Sequence, residues 1–320
     1  MPASPWDPAV PAPGEVYRDP VYDGATDPTV VRTPEGWWMF YTQRRATHPD
    51  PGRGVAWVHG SRVGVARSDD GERWRYVGTL ALDAAGTLVL SPGPPPRDVD
   101  RTHWAPDVIH DGTGWRMYLT EIAGIPDRWA GHARHIVEYV SDDLAVWRRV
   151  GPIPLDSDRV IDAAVRRCPD GRWRLWYKDE AAESVTKVAV SDDLAAWEPA
   201  GTAIGGRPHE GPFVIELAGW WWMITDEWRG LAVHRSRDAV AWERQDTLLL
   251  DGSGPVSTGI QIGRHAMVVA DGEESGWIYF FTHPWWDGSE IGDAMGDAHR
   301  RSAVQRARLT VVEGRLVSTR

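Results

Sequence analysis

Four stretches of this chain repeat one pattern: SDDGERWRYVG (Ser68–Gly78), SDDLAVWRRVG (Ser141–Gly151), SDDLAAWEPAG (Ser191–Gly201) and SRDAVAWERQD (Ser236–Asp246). Each copy places a tryptophan six residues after its first serine. Serine and aspartate side chains hydrogen-bond nearby backbone amides, which favours a tight turn. A tryptophan that recurs at one position of a repeat is expected to keep one packing role. The copies therefore predict a repeated turn whose tryptophan returns to the core.

An aromatic segment precedes each copy, and a fifth such segment has no copy after it. The five segments are GWWMFYTQR from Gly36, GWRMYLTEI from Gly114, GRWRLWYKDE from Gly171, GWWWMITDEW from Gly219 and GWIYFFTHPW from Gly276. Short strands rich in aromatic and β-branched residues, bounded by turns, are typical of antiparallel meanders. A unit of roughly fifty residues that holds several strands is the signature of a propeller blade.

The five aromatic segments predict an all-β fold, a single five-bladed β-propeller that spans residues 1–320. Residues 1–20 are expected to form an N-terminal extension. The spacing between the first two units is the largest, so long surface loops are expected at Arg44–Arg62 and Ser91–Arg97. Each blade is too short to bury a core alone and depends on its neighbours.

Composition argues against several classes of function. The chain has 320 residues and a net charge of −11, whereas binding to nucleic-acid phosphates requires a basic surface. Its one cysteine, Cys168, cannot form an internal disulfide and fits a reducing compartment. The start, MPASPWDPAV, lacks the pattern of a signal peptide, and no apolar run is long enough to cross a membrane. We therefore expect a cytoplasmic protein with no nucleic-acid or membrane partner, and the oligomeric state stays open.

Each predicted blade opens with an ionisable residue, eight to twelve residues before the aromatic anchor. These residues are Asp27 in TDPTVV, Asp107 in WAPDVI, Asp162 in VIDAAV, Glu210 in HEGPFV and His265 in GRHAMVV. The first strand of a propeller blade lines the central channel, so the five side chains are expected to converge at one mouth of it. Crowded carboxyls repel one another, and strongly shifted pKa values cluster at functional sites.

Several carboxyls without an obvious nucleophile point to glycoside hydrolysis. In that reaction one carboxylic acid protonates the leaving oxygen, and one carboxylate activates water or attacks the sugar. A third carboxylate beside the acid raises its pKa by like-charge repulsion. Inverting enzymes hold acid and base roughly 6.5–9.5 Å apart, which leaves room for a water.

The blade starts resemble those of glycoside hydrolase family 43 and its neighbours, which are five-bladed β-propeller enzymes. The matching segments are TDPTVV, HWAPDV, VIDAAVRRCPDGRWRLWYKDE, HEGPFV and GRHAMVV…YFFTHPW, which spread over about residues 25–310. The resemblance implies that Asp27 is the general base, that Glu210 is the general acid, and that Asp162 orients the acid and modulates its pKa. It also implies inversion of the anomeric centre. We expect Asp162 to stay ionised and to keep Glu210 protonated near neutral pH.

The resemblance also implies roles for two further blade-start residues. Asp107 is expected to be structural or to support the substrate site. His265 is expected to face the channel and to hold a water or a structural calcium ion there, although the usual Gly-His pair reads Gly263-Arg264-His265 in this chain. No cofactor is needed for the chemistry itself.

Other residues near the blade starts and strand ends are candidates for binding the substrate. The full set of predicted substrate-binding residues is Trp104, Asp107, Lys178, His209, His265 and Arg301. Trp104 is placed either to stack on a sugar face or to pack under a loop, since an amphipathic aromatic side chain is suited to both roles. Polar residues after aromatic strands, such as Lys178, reach either sugar hydroxyls or solvent.

The leading hypothesis is an inverting, exo-acting glycosidase for pentose or furanose glycosides and small oligosaccharides, similar to an arabinofuranosidase or xylosidase. Another furanosidase, such as a β-galactofuranosidase, is compatible with the same residues. A retaining fructosidase-like enzyme would place its acid glutamate in the third blade, where this chain has Asp162. A glycoside phosphorylase would need a basic phosphate site. A non-catalytic sugar-binding propeller is the remaining alternative, because fold alone does not exclude it.

Overall fold

The structure is a computed structural model that describes residues 14–93, 101–252, 262–286 and 296–319. Residues 1–13 of the expected extension and residues 94–97 of the expected second loop lie outside the described residues. The regular secondary structure of the described residues is almost entirely β-strand, with one short 3₁₀ turn at Glu180–Ala182 and one short helix, α1, at Asp297–Arg300. No described helix is long and apolar enough to cross a membrane.

The described strands pair antiparallel with their neighbours in sequence. In chain order they are β1 Glu15–Tyr17, β2 Ala25–Thr33, β3 Gly36–Gln43, β4 Arg62–Ser68, β5 Arg75–Leu82, β6 Leu88–Ser91, β7 Arg101–His110, β8 Trp115–Ala123, β9 His135–Ser141, β10 Val146–Pro152, β11 Val160–Arg167, β12 Trp173–Asp179, β13 Val185–Ser191, β14 Glu198–Ile204, β15 Glu210–Leu217, β16 Trp220–Asp226, β17 Leu231–Ser236, β18 Glu243–Arg244, β19 Arg264–Ala270, β20 Ser275–Thr282, β21 Ala303–Val312 and β22 Arg315–Thr319. We group them as meander 1 (β2–β6), meander 2 (β7–β10), meander 3 (β11–β14), meander 4 (β15–β18) and meander 5 (β19–β22).

The meanders form a ring through their first strands. Strands β2, β7, β11, β15 and β19 contact one another in chain order, and β19 contacts β2. Meanders 1 and 2 also join at the outside, where Val146 and Trp147 of β10 pair with Val89 and Leu88 of β6. The fold is therefore all-β and propeller-like, as the repeat predicted.

The two ends of the described chain meet in the last sheet. Strands β1 and β22 both pair with β21, β1 near its start at Val304 and Gln305 and β22 near its end at residues 308–312. The expectation that residues 1–20 form an extension is therefore wrong for Glu15–Tyr17, which is a strand of the sheet. The C-terminal segment completes meander 5, in agreement with its strand-like sequence.

The repeated serine and aspartate build the same turn between the third and fourth strands of meanders 1 to 4. In the third copy the Ser191 Oγ accepts a hydrogen bond from the Leu194 N–H at 2.9 Å. The Asp193 carboxylate accepts two more, from the N–H groups of Ala195 at 2.8 Å and Ala196 at 3.0 Å. The paired bonds to the aspartate recur in the other three copies.

The repeated tryptophan packs against the meander that precedes its own. Four edge-to-face pairs do this: Trp147 with Phe40, Trp197 with Tyr118, Trp242 with Trp176, and Trp74 with Tyr279. Their ring centroids are 5.7–6.2 Å apart, a favourable separation for perpendicular aromatic rings. The last pair joins meander 1 to meander 5. The prediction that these tryptophans are structural is confirmed.

The insertion at Arg44–Arg62 is not a plain surface loop. Its Trp57 and Val58 side chains are buried and pack against Trp104, Ala105 and Ile161 of the first strands. The insertion therefore covers part of the ring's mouth, and its apolar residues are what hold it there.

Candidate active site

A β-bulge interrupts the first strand of every meander at the same place. The register shifts between Thr26 and Thr29 in β2, and equivalent shifts occur in β7, β11, β15 and β19. One residue of each bulge has a positive φ: Asp27 (49°), Ala105 (46°), Asp162 (60°), Gly211 (56°) and His265 (35°). Left-handed backbone is unusual for residues other than glycine, so the four non-glycine positions carry strain that is typical of functional sites.

The bulges correct the sequence alignment in two meanders. The structural equivalents of Asp27 are Ala105 and Gly211, not Asp107 and Glu210. Asp107 lies two residues after its bulge residue, and Glu210 lies one residue before it. Spacing from the aromatic anchors could not reveal this, because the lengths of the strand and of the following turn vary by one or two residues.

The bulge amides are bonded by the neighbouring meander. The Thr42 Oγ accepts from the Ala105 N–H at 2.8 Å, and the Thr120 Oγ accepts from the Asp162 N–H at 3.2 Å. Asp226 fills the same place in meander 4, where its carboxylate accepts from the His265 N–H at 3.3 Å. These acceptors fix the bulges of meanders 2, 3 and 5 relative to the preceding meander of the ring.

Meander 3 departs from this rule. Lys178 occupies the position of Thr120, and its side chain cannot accept a hydrogen bond. The Gly211 N–H instead donates to the Asp162 carboxylate at 3.0 Å. A Cβ atom on Gly211 would lie 2.9 Å from the ring of His265, so only glycine leaves space for that ring.

The bulges and the residues before them line one pocket of about 280 Å³. Six of the predicted site residues contribute to its wall: Asp27, Trp104, Asp162, Lys178, Glu210 and His265. The three predicted catalytic carboxyls therefore meet in one pocket, although they come from meanders 1, 3 and 4.

His265 lies between two of these carboxylates. Its Nδ1 is 3.6 Å from an oxygen of Asp27 and 4.0 Å from an oxygen of Asp162. Burial alone would lower the pKa of His265, but the negative charges of Asp162 and Asp27 outweigh it and raise this pKa. Arg44 lies 3.7 Å from the other oxygen of Asp27. Two positive groups thus flank the predicted base.

Glu210 is held by two hydrogen-bond donors. The Lys178 Nζ donates to Oε2 at 3.0 Å, and the Trp228 indole N–H donates to Oε1 at 2.8 Å. Burial would raise the pKa of Glu210, but the charge and hydrogen bond of Lys178 and the Trp228 bond lower it to about 2. Burial raises the pKa of Asp162 to about 6, helped by Glu210 and opposed by His265.

These directions contradict the expected protonation states. We expected Asp162 to keep Glu210 protonated near neutral pH. In this structure the pKa of Glu210 is lowered, whereas that of Asp162 is raised. The main cause of the lowering is Lys178, whose charge and hydrogen bond stabilise the Glu210 carboxylate.

Three of the predicted substrate-binding residues lie outside the pocket wall. Asp107 accepts from the Val165 N–H at 2.7 Å and forms an ion pair with Arg166 at 3.0 Å, so it ties β7 to β11. His209 is buried and contacts the Thr186 hydroxyl at 2.7 Å. Arg301 forms an ion pair with Asp23. These contacts give all three residues structural roles.

Trp104 belongs to the wall but is almost fully buried. Its indole N–H donates to the Val58 carbonyl at 3.0 Å, and the Arg134 guanidinium lies 5.2 Å from its ring centroid. Arg134 therefore covers one face of the ring. Of the two roles predicted for Trp104, packing under a loop agrees with these contacts better than stacking on a sugar.

The pocket contains residues that the sequence reasoning did not select. They are Arg44, Val58, Trp129, Arg134, Ile161, Glu180, Trp228, Arg264 and Phe281; His283, which also lines the pocket, is a further candidate from the sequence. Trp129 and Trp228 are 47% and 37% exposed, which leaves their rings accessible at the pocket. The sequence offered one usable signal: an arginine, Arg264, directly before the blade-five histidine, where the family resemblance leads one to expect glycine.

The described residues do not fit a calcium site. No group of three or more histidine, cysteine, aspartate or glutamate side chains in the described ranges is arranged to hold a metal ion. Calcium requires several oxygen ligands, whereas His265 presents a nitrogen whose raised pKa favours the protonated form.

Comparison with known proteins identifies the fold. No family model and no curated protein sequence matches the chain. Among solved structures, it is similar to a thermostable family-43 glycoside hydrolase, with 17% identity, a TM-score of 0.63 and coverage of 95% of this chain and 96% of the other. An exo-1,5-α-L-arabinanase from a bovine ruminal metagenomic library is 14% identical over 95% and 99% of the two chains, with a TM-score of 0.59.

A third similar structure is longer than this chain. Xylan β-1,4-xylosidase from Bacillus halodurans is 15% identical with a TM-score of 0.64, and the match covers 94% of this chain but 56% of the xylosidase. At these identities the similarity concerns the fold. The fold of the chain is that of family-43 glycoside hydrolases.

Proposed function

We propose that the protein is a glycoside hydrolase that uses Asp27 as general base, Glu210 as general acid and Asp162 as the residue that orients the acid. The observation that carries the proposal is that these three carboxyls, from three separate meanders, meet in one pocket of a family-43 fold. The five meanders are, in this proposal, the five blades of a single propeller. Glycoside hydrolysis requires such a pair of carboxyls on opposite sides of the scissile bond.

Asp27 suits the role of base because cations hold it in place. The Thr26 hydroxyl donates to its carboxylate at 3.0 Å, and His265 and Arg44 flank the two oxygens. A carboxylate fixed in this way can accept a proton from water that attacks the anomeric carbon. Inversion of configuration follows if that water attacks from the side opposite the leaving group.

Glu210 must gain a proton before it can act as the acid. Loosening the Lys178 contact when the leaving-group oxygen enters the pocket removes the main influence that lowers the pKa of Glu210. Burial and the nearby negative charge of Asp162 then favour the protonated form. Lys178 would in turn be free to bond a sugar hydroxyl.

The size and cover of the pocket favour action at chain ends. A volume of about 280 Å³ is at the small end for ligand sites, and the insertion at residues 44–62 closes one side of it. We propose exo-action on a pentose or furanose glycoside, with small oligosaccharides as substrates. Structures with this fold include a xylosidase and an arabinanase, and another was solved as a complex with xylose.

A panel of 4-nitrophenyl glycosides, furanosides included, tests the proposal. We expect hydrolysis of at least one, with loss of about 10³-fold or more in the Asp27→Asn variant, because the general base contributes at least 10²–10⁴-fold. Glu210→Gln should slow alkyl glycosides far more than 4-nitrophenyl glycosides, whose leaving group needs no proton. Proton NMR of the first-formed anomer reads out inversion.

If both variants stay folded and keep full activity, the roles are wrong. If no glycoside is cleaved but sugars bind, the protein is a sugar-binding propeller.

A further inference from the structure

Arg264 stands at a position that faces the pocket in several meanders. It directly precedes its bulge residue, as Glu210, Trp104 and Ile161 precede theirs, and all four line the pocket. Arg264 is therefore placed where meander 4 presents the proposed acid. Its side chain reaches the same space as the substrate of the proposed reaction.

The charge of Arg264 has no close partner among the described residues. It is 6% exposed, yet its side chain makes no hydrogen bond and no ion pair within 4 Å in the described ranges. Its one ring contact there is with Trp286, at 5.6 Å from the ring centroid, and Asp226 acts on it only through space. A buried, unpaired guanidinium is costly, so such groups are normally compensated by a partner.

Arg44 brings a second positive charge to the same end of the pocket. Its guanidinium lies 5.2 Å from the Phe281 ring centroid, and Phe281 is the strand partner of Arg264. The pKa of His283 is lowered to about 3, mainly by burial and further by the positive charges of Arg264 and Arg44. His283 therefore adds a neutral imidazole, not a third charge, beside the two guanidinium groups.

The other charged groups of the pocket largely cancel. Arg134 pairs with Glu180 at 2.6 Å and Lys178 pairs with Glu210 at 3.0 Å. His265 lies between the two aspartates. Arg44 forms a long ion pair with Asp27, at 3.7 Å. Arg264 is then the one cation among the described lining residues that has no carboxylate within ion-pair distance. This local excess contrasts with the net charge of −11 of the whole chain.

We propose that Arg264, assisted by Arg44, binds an anionic oxygen group on the sugar that occupies the pocket. Planar guanidinium groups bind carboxylates and phosphates through paired hydrogen bonds, and a buried one gains most from such a ligand. The substrate class is accordingly an acidic sugar: either a uronic acid, which takes the place of the neutral pentose proposed above, or a pentose or furanose that carries a phosphate ester. The inference rests on the proposed function only in taking the pocket as a sugar site.

Binding of free sugars tests the inference without any requirement for catalysis. Free sugars present both anomers, so the unknown anomeric preference does not matter. We would titrate the protein with arabinose, arabinose 5-phosphate, glucose, glucuronic acid, glucose 6-phosphate, galactose and galacturonic acid, and follow tryptophan fluorescence and heat of binding. We expect at least one acidic sugar to bind about 10- to 100-fold more tightly than its neutral counterpart, the range that a charge-assisted hydrogen bond supplies. Preference for the uronic acid or for the phosphate identifies the anionic group.

Variants then assign the preference to Arg264. Arg264→Met keeps the length of the side chain without its charge and should remove the preference while leaving the affinity for the neutral sugar within about threefold. Arg264→Lys should keep part of it. Arg67→Met is the matched control, because Arg67 also stacks on a tryptophan, Trp38, at 4.4 Å but does not line the pocket.

Two outcomes overturn the inference. One is that no acidic sugar binds more tightly than its neutral counterpart, including the case in which neither binds. The other is that Arg264→Met, folded as judged by its melting temperature, retains the preference. Failure of the proposed function looks different: acidic sugars bind through Arg264, but the wild-type protein cleaves no acidic or neutral glycoside.

Discussion

At the scale of single residues, one contact decides how the proposed acid obtains its proton. Lys178 lies 3.0 Å from Glu210 and is itself buried, so its charge is poorly screened by water. The family resemblance could supply the role of Glu210, but it gave no hint that a lysine would bond to it. That lysine was visible in the sequence only as a polar residue after an aromatic strand.

Replacing Lys178 by methionine should move the pH dependence of the reaction. Loss of a positive charge destabilises the Glu210 carboxylate, so the pKa of Glu210 rises and the acid keeps its proton to higher pH. The basic limb of the kcat/KM profile should therefore shift upward by about one pH unit or more. The measurement is kcat/KM of the best glycoside from about pH 2 to 9, a range that includes the low pKa of Glu210 in the free enzyme.

Lys187→Met is the control for this shift. Lys187 also pairs with carboxylates, Asp179 at 3.2 Å and Asp156 at 3.6 Å, but it does not line the pocket. Its profile should match that of the wild type. A basic limb that stays in place or moves downward in Lys178→Met would show that Lys178 does not control the protonation of Glu210.

At the scale of elements, the sequence predicted turns better than it predicted bulges. The serine, aspartate and tryptophan side chains of each turn make equivalent contacts in every copy. They therefore recur in the sequence and can be recognised there. A bulge is defined by backbone register, and its residues here are as different as Asp27, Ala105 and Gly211. The sequence therefore located the pocket-lining strands correctly but misplaced Asp107 and Glu210 by one or two residues.

The turn serine should have a measurable effect on stability. Ser141 is 6% exposed, and its Oγ accepts from the Leu144 N–H at 2.9 Å. In Ser141→Ala that buried N–H loses its partner, so the free energy of unfolding should fall by about 1 kcal/mol. Urea denaturation followed by tryptophan fluorescence measures it.

The neighbouring residue gives a control within the same turn. Asp142 is exposed and makes none of the repeated bonds, so Asp142→Ala should change the free energy of unfolding by less than about 0.5 kcal/mol. Equal effects of the two substitutions would mean that the turn is stabilised by its overall polarity and not by the serine bond.

At the scale of the whole molecule, closure of the ring depends on residues that the sequence reasoning set aside. Strand β1 adds to the last sheet, and its Tyr17 contacts Tyr41 of meander 1, with the two hydroxyls 2.9 Å apart. Residues 18–24, which follow β1, complete this junction between the first and last meanders. No repeat marks this segment, because it occurs once, at the place where the first and last meanders meet.

Asp19 is the centre of that junction. It is 1% exposed and accepts three hydrogen bonds, from the Tyr41 hydroxyl at 2.7 Å, the Gln43 amide at 2.8 Å and the Tyr22 N–H at 2.7 Å. Asp19→Ala leaves two buried donors and the half-buried Tyr22 N–H without this acceptor, which should lower the free energy of unfolding by about 2–4 kcal/mol. Since closure couples the first and last meanders, the loss should appear as one cooperative transition at lower urea.

Asp69→Ala provides the comparison, because Asp69 is exposed and lies in the first repeated turn. Its urea midpoint should stay close to that of the wild type.

If Asp19→Ala unfolds at the wild-type midpoint, the segment before β2 is dispensable and the ring closes through the first strands alone. If instead an early, separate transition appears, residues 14–20 unfold independently, and the junction seals a ring that is already stable. A single shifted transition is the result that makes β1 and Asp19 part of the cooperative core, and we expect it because Asp19 bonds directly to the side chains of β3 that face the last sheet.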